Sequence, residues 1–455
     1  MKEINSAHFI GIGGAGMSGL AKILIQKGVK VSGSDLSGSK YVERLIKMGA
    51  QIKIGHHEDN MPDSCDLVVI SSAIPLNNPE VKKAGTMGIR IMKRGELLGK
   101  LMKLQKGIAV AGAHGKTTTS SMIALILEEA GYDPTIVIGG ELYNLCSNAK
   151  LGNGKYFVAE ADESDGSFLE LFPEIALVTN IEDDHLEYYG SLDKIIDAFQ
   201  QYINQSGGTV FIGIDDGIAV NLKKPENSKV KYYGLRDNDN FVAKNLVFKD
   251  TGSTSDIFYE GKLLGKMELT ITGKHNIVNA LGAVGVAMEA GVSFREAARA
   301  LKKFKGVERR FQLLGYEKNV KVVDDYAHHP TEIRATLQAA RQSHKGRIVA
   351  VFQPHRYSRT KQLYHEFGSS FSDADFIVVT DIYAAGEQAV LGISGELIAQ
   401  EAKKRFPGKE VVYKGYDDLT DYLQEINKSG DLIITLGAGD IWKKGKELIH
   451  TLGGK

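Results

Sequence analysis

IAVAGAHGKTTTSSMIALIL, Ile108 to Leu127, reads as a strand, a glycine loop and a helix in succession. The loop Gly112-Ala113-His114-Gly115-Lys116-Thr117 is close to a phosphate-binding loop, yet the strict spacing G-x-x-x-x-G-K-[ST] would place a glycine at position 110, where Val110 stands. It is a shortened variant of that motif. Its physics is unchanged: small residues let backbone N–H groups close on phosphate oxygens at a helix N-terminus, Lys116 supplies a point charge, and Thr117 offers a hydroxyl to Mg²⁺. A plain strand-to-helix connection would explain the glycines but not the Lys-Thr-Thr-Thr run.

Outward from this stretch, short apolar runs bounded by glycine alternate with helix-period segments almost throughout. That alternation predicts an α/β protein with mostly parallel sheets. The 455 residues suffice for three domains of roughly 150 residues each. The expected domains are a Rossmann-like N-terminal domain over 1–106, a central P-loop ATPase domain with a mostly parallel sheet over 107–307, and a Rossmann-like C-terminal domain over 308–455. Strands are predicted at HFIGI, VKVSGSD and DLVVISSA in the first. The second holds IAVAG, YFVAEA, IALVTN and TVFIG, then a β-rich insertion and the helix HNIVNALGAVGVAMEAG. The third holds VKVVDDY, RIVAVFQPH, DFIVVTD, EVVYK and DLIITLGAG.

Lys plus Arg equals Asp plus Glu at 56 each, so no global field draws in nucleic acid or an acidic membrane. Any phosphate binding must come from local devices. The two cysteines, Cys65 and Cys146, are too few for a disulfide scaffold and suit a reducing compartment. No signal peptide or membrane span is legible, and the expectation is a cytoplasmic protein without nucleic-acid binding or membrane insertion.

Two further features carry chemistry. The strand YFVAEADESD ends in Glu160, Asp162, Glu163 and Asp165, and IALVTNIEDDH ends in Asp183, Asp184 and His185. In a parallel sheet such strand ends are where oxygen ligands for a triphosphate-bound Mg²⁺ collect. At the other end of the first half, HFIGIGGAGMSGLA (His8 to Ala21) carries Gly11-x-Gly13-x-x-Gly16, the fingerprint of a dinucleotide turn, with Asp35 nineteen residues beyond Gly16. Read alone, that turn suggests a nicotinamide-dependent dehydrogenase. Such a reading leaves the second glycine loop and the acidic strand ends unused, and an NTP-driven switch leaves the C-terminal clusters described next unexplained.

Those clusters complete a resemblance. HFIGIGGAGMSGLA, SSAI (Ser71 to Ile74), AGAHGKTTTS, AEADESDGSF, TNIEDDH, GKHNIVNALGA, GVERRFQ, DDYAHHPTE and FQPHRYSRT together resemble the Mur ligases of bacterial cell-wall synthesis, in the family's order and over all three predicted domains. The resemblance implies a UDP-sugar at Gly13, Gly14, Ala15, Gly16, Met17, Ser18 and Ser71, with Asp35 as a uridine-side contact. It implies ATP at Gly112, Ala113, His114, Gly115, Lys116, Thr117 and Thr118, with His275, Asn276 and Asn279 for adenine, a phosphate-contacting Arg310, and Asp325 and Tyr326. It implies Mg²⁺ on Thr117, Glu160 and His185, and amino-acid and nucleotide contacts from His328, His329, Arg356 and Arg359. Members that add later residues carry a carbamylated lysine some fifteen positions beyond the metal histidine; FQQYINQSGG has none. The branch the resemblance implies joins L-alanine to UDP-N-acetylmuramate, with which the missing lysine agrees; a tripeptide-recycling branch is the alternative, and a monomer or homodimer the expected assembly.

Joining a carboxylate to an amine demands activation, and a phosphate loop with Mg²⁺ makes an acyl phosphate the natural intermediate. A free α-amino group has a pKa of about 8, so a base near the amine helps at neutral pH. His328 and His329 are the candidates, with capping of the helix at Pro330 as the competing reading for either. Arg356 and Arg359 lie three apart; on a helical turn they would face one way and grip a carboxylate or phosphate bidentately.

Overall fold

Three sheets organise the chain in a computed structural model that describes residues 4–215, 217–237, 240–249 and 252–454. The first comprises β1 (Ser6–Ile10), β2 (Lys30–Asp35), β3 (Gln51–Ile54), β4 (Leu67–Ile70) and β5 (Ile91–Lys93), all parallel in the order β3-β2-β1-β4-β5. The order reverses direction beside β1, which opens a crevice at the carboxyl ends of β1 and β4. Both strands are almost wholly buried, as a sheet covered on two faces requires, and β4 is wholly apolar.

The central sheet adds β6 (Lys106–Ala111), β7 (Thr135–Leu142), β8 (Ser147–Lys150), β9 (Tyr156–Glu160), β10 (Ile175–Val178), β11 (Thr209–Gly213), β12 (Lys229–Gly234), β13 (Phe241–Lys249), β14 (Gly252–Tyr259) and β15 (Lys262–Leu269). Its order is β15-β14-β13-β12-β11-β10-β6-β9-β7-β8, parallel from β13 to β7 and antiparallel at β8. The third sheet, β16 (Gln312–Glu317), β17 (Val320–Asp325), β18 (Ile348–Phe352), β19 (Phe376–Val379), β20 (Glu410–Tyr413) and β21 (Leu432–Leu436), runs β16-β17-β21-β18-β19-β20 and is parallel except at β16. The fold is thus α/β with a Rossmann-like sheet at each end and a mostly parallel sheet between, as expected.

Compact packing groups Met1–Lys244, Asp256–Met267 and Val278–Phe304 into a first unit, and Asn245–Ser255, Glu268–Ile277 and Lys305–Lys455 into a second. Within the first, the helix Lys116–Glu129 is buried continuously from Thr117 to Leu127. The helix packs against β7, β9 and the helix Phe294–Leu301. Among the described residues no helix is long and apolar enough to cross a membrane.

The first and central sheets meet through small residues. A side chain added at Gly95 of the helix Arg94–Met102 would stand 2.6 Å from the Ser167 Cβ, and one at Gly99 would stand 2.3 Å from the Glu170 carbonyl oxygen. Contact this close admits only glycine unless backbone moves. Gly99→Ala should destabilise the protein by about 1–3 kcal/mol, the usual range for overpacking, as measured by urea denaturation; an unchanged midpoint would refute the packing argument.

Candidate active site

At the end of β6 the chain must turn from strand to helix within the loop Gly112–Gly115. Gly112 takes φ +137°, and a Cβ there would lie 1.9 Å from the Thr179 hydroxyl, so only glycine serves. Residues following β10 then fasten the loop: the Ala113 N–H donates to the Asn180 carbonyl (3.1 Å), the His114 N–H donates to Asn180 Oδ1 (2.8 Å), and the Asn180 amide donates to the His114 carbonyl (2.9 Å). His114 Nε2 lies 3.2 Å from Glu182 Oε2. The Gly115 φ of +83° opens the helix, and Asn279 Oδ1 lies 2.6 Å from where a Gly115 Cβ would be. Thr117 and Thr118 follow as buried first-turn residues.

The Lys116 ammonium donates to the Gly112 and Ala113 carbonyls at 2.6 and 3.1 Å and to Glu163 Oε1 at 2.8 Å. Burial opposes its charge, but Glu163, Glu160 and Asp162 outweigh that and hold its pKa above the ordinary lysine value. Burial pushes the Glu163 carboxyl up to about 7, partly offset by Lys116. His185, in the left-handed region at φ +59°, places Nε2 3.8 Å from Glu163 Oε1 and 3.5 Å from Asp184 Oδ2. Glu160, the acid expected beside His185, instead accepts the Gly139 N–H at 2.8 Å. The acid that joins Lys116 and His185 is Glu163, three residues further along the same quoted strand end.

On the first sheet, the Gly11 and Ile12 amides donate to the Ser34 carbonyl at 2.8 and 3.0 Å, and the Gly13 amide donates to Asp35 Oδ2 at 2.8 Å. Gly14 caps the helix Ala15–Gln26. Ser71 lies across the turn, 3.3 Å from where a Gly11 Cβ would be. Met17 is core, and the Ser18 hydroxyl donates to the Ala15 carbonyl at 3.0 Å. Of the expected UDP-sugar residues, these two direct their side chains into packing, while the backbone of Gly14 to Gly16 forms the helix start. Arg94, which no motif marks, lies over Gly16 with Nη1 3.2 Å from the position a Cβ would take.

The second unit gathers the remaining residues. Asp325 accepts the Phe311 and Ala327 amides at 2.7 and 2.8 Å, and burial raises its pKa to about 6 against the pull of Arg310. The Tyr326 ring receives the Arg309 and Arg310 guanidinium groups, 4.9 and 5.4 Å from its centroid. His328 Nδ1 is 3.0 Å from the Tyr326 carbonyl and 3.2 Å from Glu332 Oε2. With Nδ1–H donating there, Nε2 is the ring nitrogen that carries the lone pair. His329 stands at the N-cap of the helix Pro330–Ser343, buried, with Glu332 reaching back to its amide at 3.3 Å. That is the capping position weighed for one of the pair.

Arg356 and Arg359 do not share a helical turn. Arg356 is the N-cap, at φ +71°, of the helix Tyr357–Gly368, and only Arg359 is helical, so the three-residue spacing gives no common face. Between them and His328 stands His355, stacked on Tyr383 at 5.7 Å and edge-on to His328 at 5.9 Å. Burial, then His328, Arg359 and Arg356, lowers its pKa to about 3. His355 belongs to PHRYSRT, a stretch whose spacing marks only the arginines. His275 is likewise lowered, to about 4, by burial and Arg310. The Asn276 amide is spent on the Thr272 carbonyl at 2.7 Å.

A glycine turn at the crevice of one parallel sheet and a lysine-bearing phosphate loop with acids at the edge of the next define an α/β protein built around phosphorylated ligands. Three models match in succession: "Mur ligase family, catalytic domain" over residues 6–106, "Mur ligase middle domain" over 110–287 and "Mur ligase, glutamate ligase domain" over 309–439. The chain belongs to the Mur ligase family. UDP-N-acetylmuramate–L-alanine ligase of Desulforamulus reducens is 50% identical over 98% of this chain and 97% of its own, and the same-named protein of Pelotomaculum thermopropionicum is 47% identical over 99% and 98%. Among solved structures, UDP-N-acetylmuramate-alanine ligase of Thermotoga maritima superposes with a TM-score of 0.84 at 29% identity, covering 99% of each chain. A murein peptide ligase from Psychrobacter arcticus gives 0.73 at 25% identity, covering 100% of this chain and 99% of its own.

Two histidines held neutral make stability acid-sensitive. Their folded pKa values lie below the ordinary 6.5, so the unfolded chain binds protons that the folded chain refuses, and stability falls as pH drops below about 6.5. The double variant His275→Gln/His355→Gln should show a shallower fall of Tm between pH 6.5 and 4 than the parent; parallel slopes would show that neither histidine contributes.

Proposed function

We propose that this chain is an ATP-dependent ligase that joins L-alanine to the lactyl carboxylate of UDP-N-acetylmuramate, giving UDP-N-acetylmuramoyl-L-alanine, ADP and phosphate. The observation that carries the reading is the end-to-end likeness to relatives bearing that activity in their names. Greater likeness to the alanine ligase than to the murein peptide ligase favours L-alanine over a whole tripeptide. The expected domain roles follow: UDP-sugar on 1–106, nucleotide on 107–307, and amino acid on 308–455, with the enzyme working in the cytoplasm.

Mg²⁺ fits the site. Glu163 Oε2 is buried without a hydrogen-bond partner, an open acceptor on the carboxyl whose Oε1 lies 2.8 Å from the Lys116 ammonium and 3.8 Å from His185 Nε2. Thr117, His185 and the Glu160 and Glu163 carboxylates would hold the ion. When bound it would neutralise phosphate charge and polarise the γ-phosphoryl group.

The protein's own groups supply the rest. The lactyl carboxylate attacks the γ-phosphorus and ADP leaves, while Lys116 neutralises charge gathering on the phosphoryl oxygens. The alanine amine then adds to the acyl carbon, and collapse expels phosphate as the amide forms. His328 Nε2 takes the amine proton, its ring oriented through Nδ1 by Tyr326 and Glu332. Arg356 and Arg359 hold alanine's carboxylate and phosphate oxygens. His355, kept neutral, adds no positive charge next to the base.

Protein incubated with ATP, Mg²⁺ and UDP-N-acetylmuramate should release phosphate and form a new amide only when L-alanine is present; alanine-independent hydrolysis alone sinks the proposal. His328→Ala should lower the ligation rate at limiting alanine by about 10²–10⁴-fold and flatten the acid limb of its pH profile. His329→Ala should act mainly through Tm, as loss of a helix cap does. Equal kinetic effects of the two substitutions would remove the assignment.

A further inference from the structure

Arg94 is the first residue of the helix Arg94–Met102, directly after β5. Its side chain is 15% exposed, and Nη2 donates to Asp162 Oδ2 and to the Ser167 hydroxyl, both at 3.0 Å. Asp165 Oδ2 stands 3.7 Å away. Both hydrogen bonds leave from one nitrogen. A guanidinium carries five donors in a planar fork, and among the described residues Nε and Nη1 donate to none. Nη1 is the nitrogen that lies over Gly16 at the start of the diphosphate-cradling helix.

The position of this fork is fixed from two sides. The contacts of Gly95 with Ser167 and of Gly99 with Glu170 lock its helix against the 3-10 segment Ser167–Glu170 that follows β9. Asp162, partly exposed, is held below the ordinary carboxylate range because Arg94 and then Lys116 outweigh its partial desolvation. One carboxylate therefore spaces the Arg94 guanidinium from the ammonium of the nucleotide loop. Nη1 thus faces the sugar-nucleotide turn, while Nη2 is tied to a carboxylate on which Lys116 of the phosphate loop also acts.

We propose that Arg94 binds the lactyl carboxylate of the sugar nucleotide through Nη1 and Nε and aims it at the γ-phosphate of ATP. This rests on the function proposed above and adds a contact to it. The planar fork matches a carboxylate, whereas a lysine would supply only a point charge.

The test compares two nucleotides by calorimetric titration and competition: UDP-N-acetylmuramate, and UDP-N-acetylglucosamine, which has the same uridine, diphosphate and sugar but no lactyl carboxylate. Arg94→Lys and Arg94→Gln should each weaken UDP-N-acetylmuramate by about tenfold or more, as expected for a lost charge-assisted fork. They should leave UDP-N-acetylglucosamine within about twofold, a gap that general damage would not produce. In turnover, KM for UDP-N-acetylmuramate should rise while KM for ATP stays constant. Equal weakening of both nucleotides would mean a diphosphate contact or a distorted turn. Unchanged binding of both would leave Arg94 as a bridge to Asp162 only, and either result overturns the proposal. Failure of the functional reading is seen separately, in wild-type protein that forms no alanine-dependent amide.

Discussion

The positive charge on Lys116 is the constraint around which the first unit is arranged. Its side chain is 14% exposed, and an ammonium so deprived of water is tolerable only if carbonyls and carboxylates replace the lost hydration. The carbonyls come from its own loop, which folds back far enough only because Gly112 adopts a conformation that leaves no room for a side chain. The carboxylate comes from the chain just past β9, and the anchor of the loop from the chain just past β10. These are the two strands flanking β6. A parallel sheet brings their carboxyl ends to one edge, so the topology delivers acid, anchor and cation to the same place.

A second buried charge orders the first sheet. Glu80, fully buried, accepts from His8 Nε2 and the Ser34 hydroxyl at 2.8 Å each through Oε2, and from His56 at 3.0 Å and Asn60 at 3.3 Å through Oε1. Burial works against its ionisation, and these donors outweigh it, keeping its pKa below the ordinary glutamate value. Ser34 is where this network meets function. Its hydroxyl is tied to Glu80, and its carbonyl takes the Gly11 and Ile12 amides that shape the turn. The glycine turn is thus set by a carboxylate on a different helix, Pro79–Thr86.

That dependence explains what was legible in the sequence and what was not. The strands flanked by glycine and rich in Val, Ile and Leu were readable, because burial on both faces writes a continuous apolar run. β3 (QIKI), with three of four residues exposed, and β12 (KVKYYG), mostly half-exposed, carry no such run. β7 hides behind Gly139-Gly140, where Gly139 is needed so that Glu160 can approach its amide. At the site, motif spacing located the loop, the acids and the histidines, yet spacing along a chain does not say which of four carboxylates turns toward the lysine. It also misled for Arg356 and Arg359, since three residues apart means a shared face only inside a helix, and Arg356 lies before it. Arg94 and Glu80 belong to no motif; their partners lie 68 and 72 residues away in sequence.

The glycine turn shows why a motif must be read with its surroundings. In a dinucleotide enzyme the acid at the end of the second strand holds a ribose hydroxyl. Here Asp35 stands at that position, but its Oδ2 accepts the Gly13 amide at 2.8 Å and its Oδ1 lies 3.3 Å from the Ser37 amide. Directed onto its own turn, the carboxylate occupies the N–H that would otherwise face a pyrophosphate. Anion binding then falls to the helix start at Gly14 to Gly16, where N–H groups and the helix dipole remain. The Arg94 guanidinium lies over that start, held by Asp162 and Ser167, so the turn is better suited to an anionic ligand reaching toward Arg94 than to a ribose lying along β2.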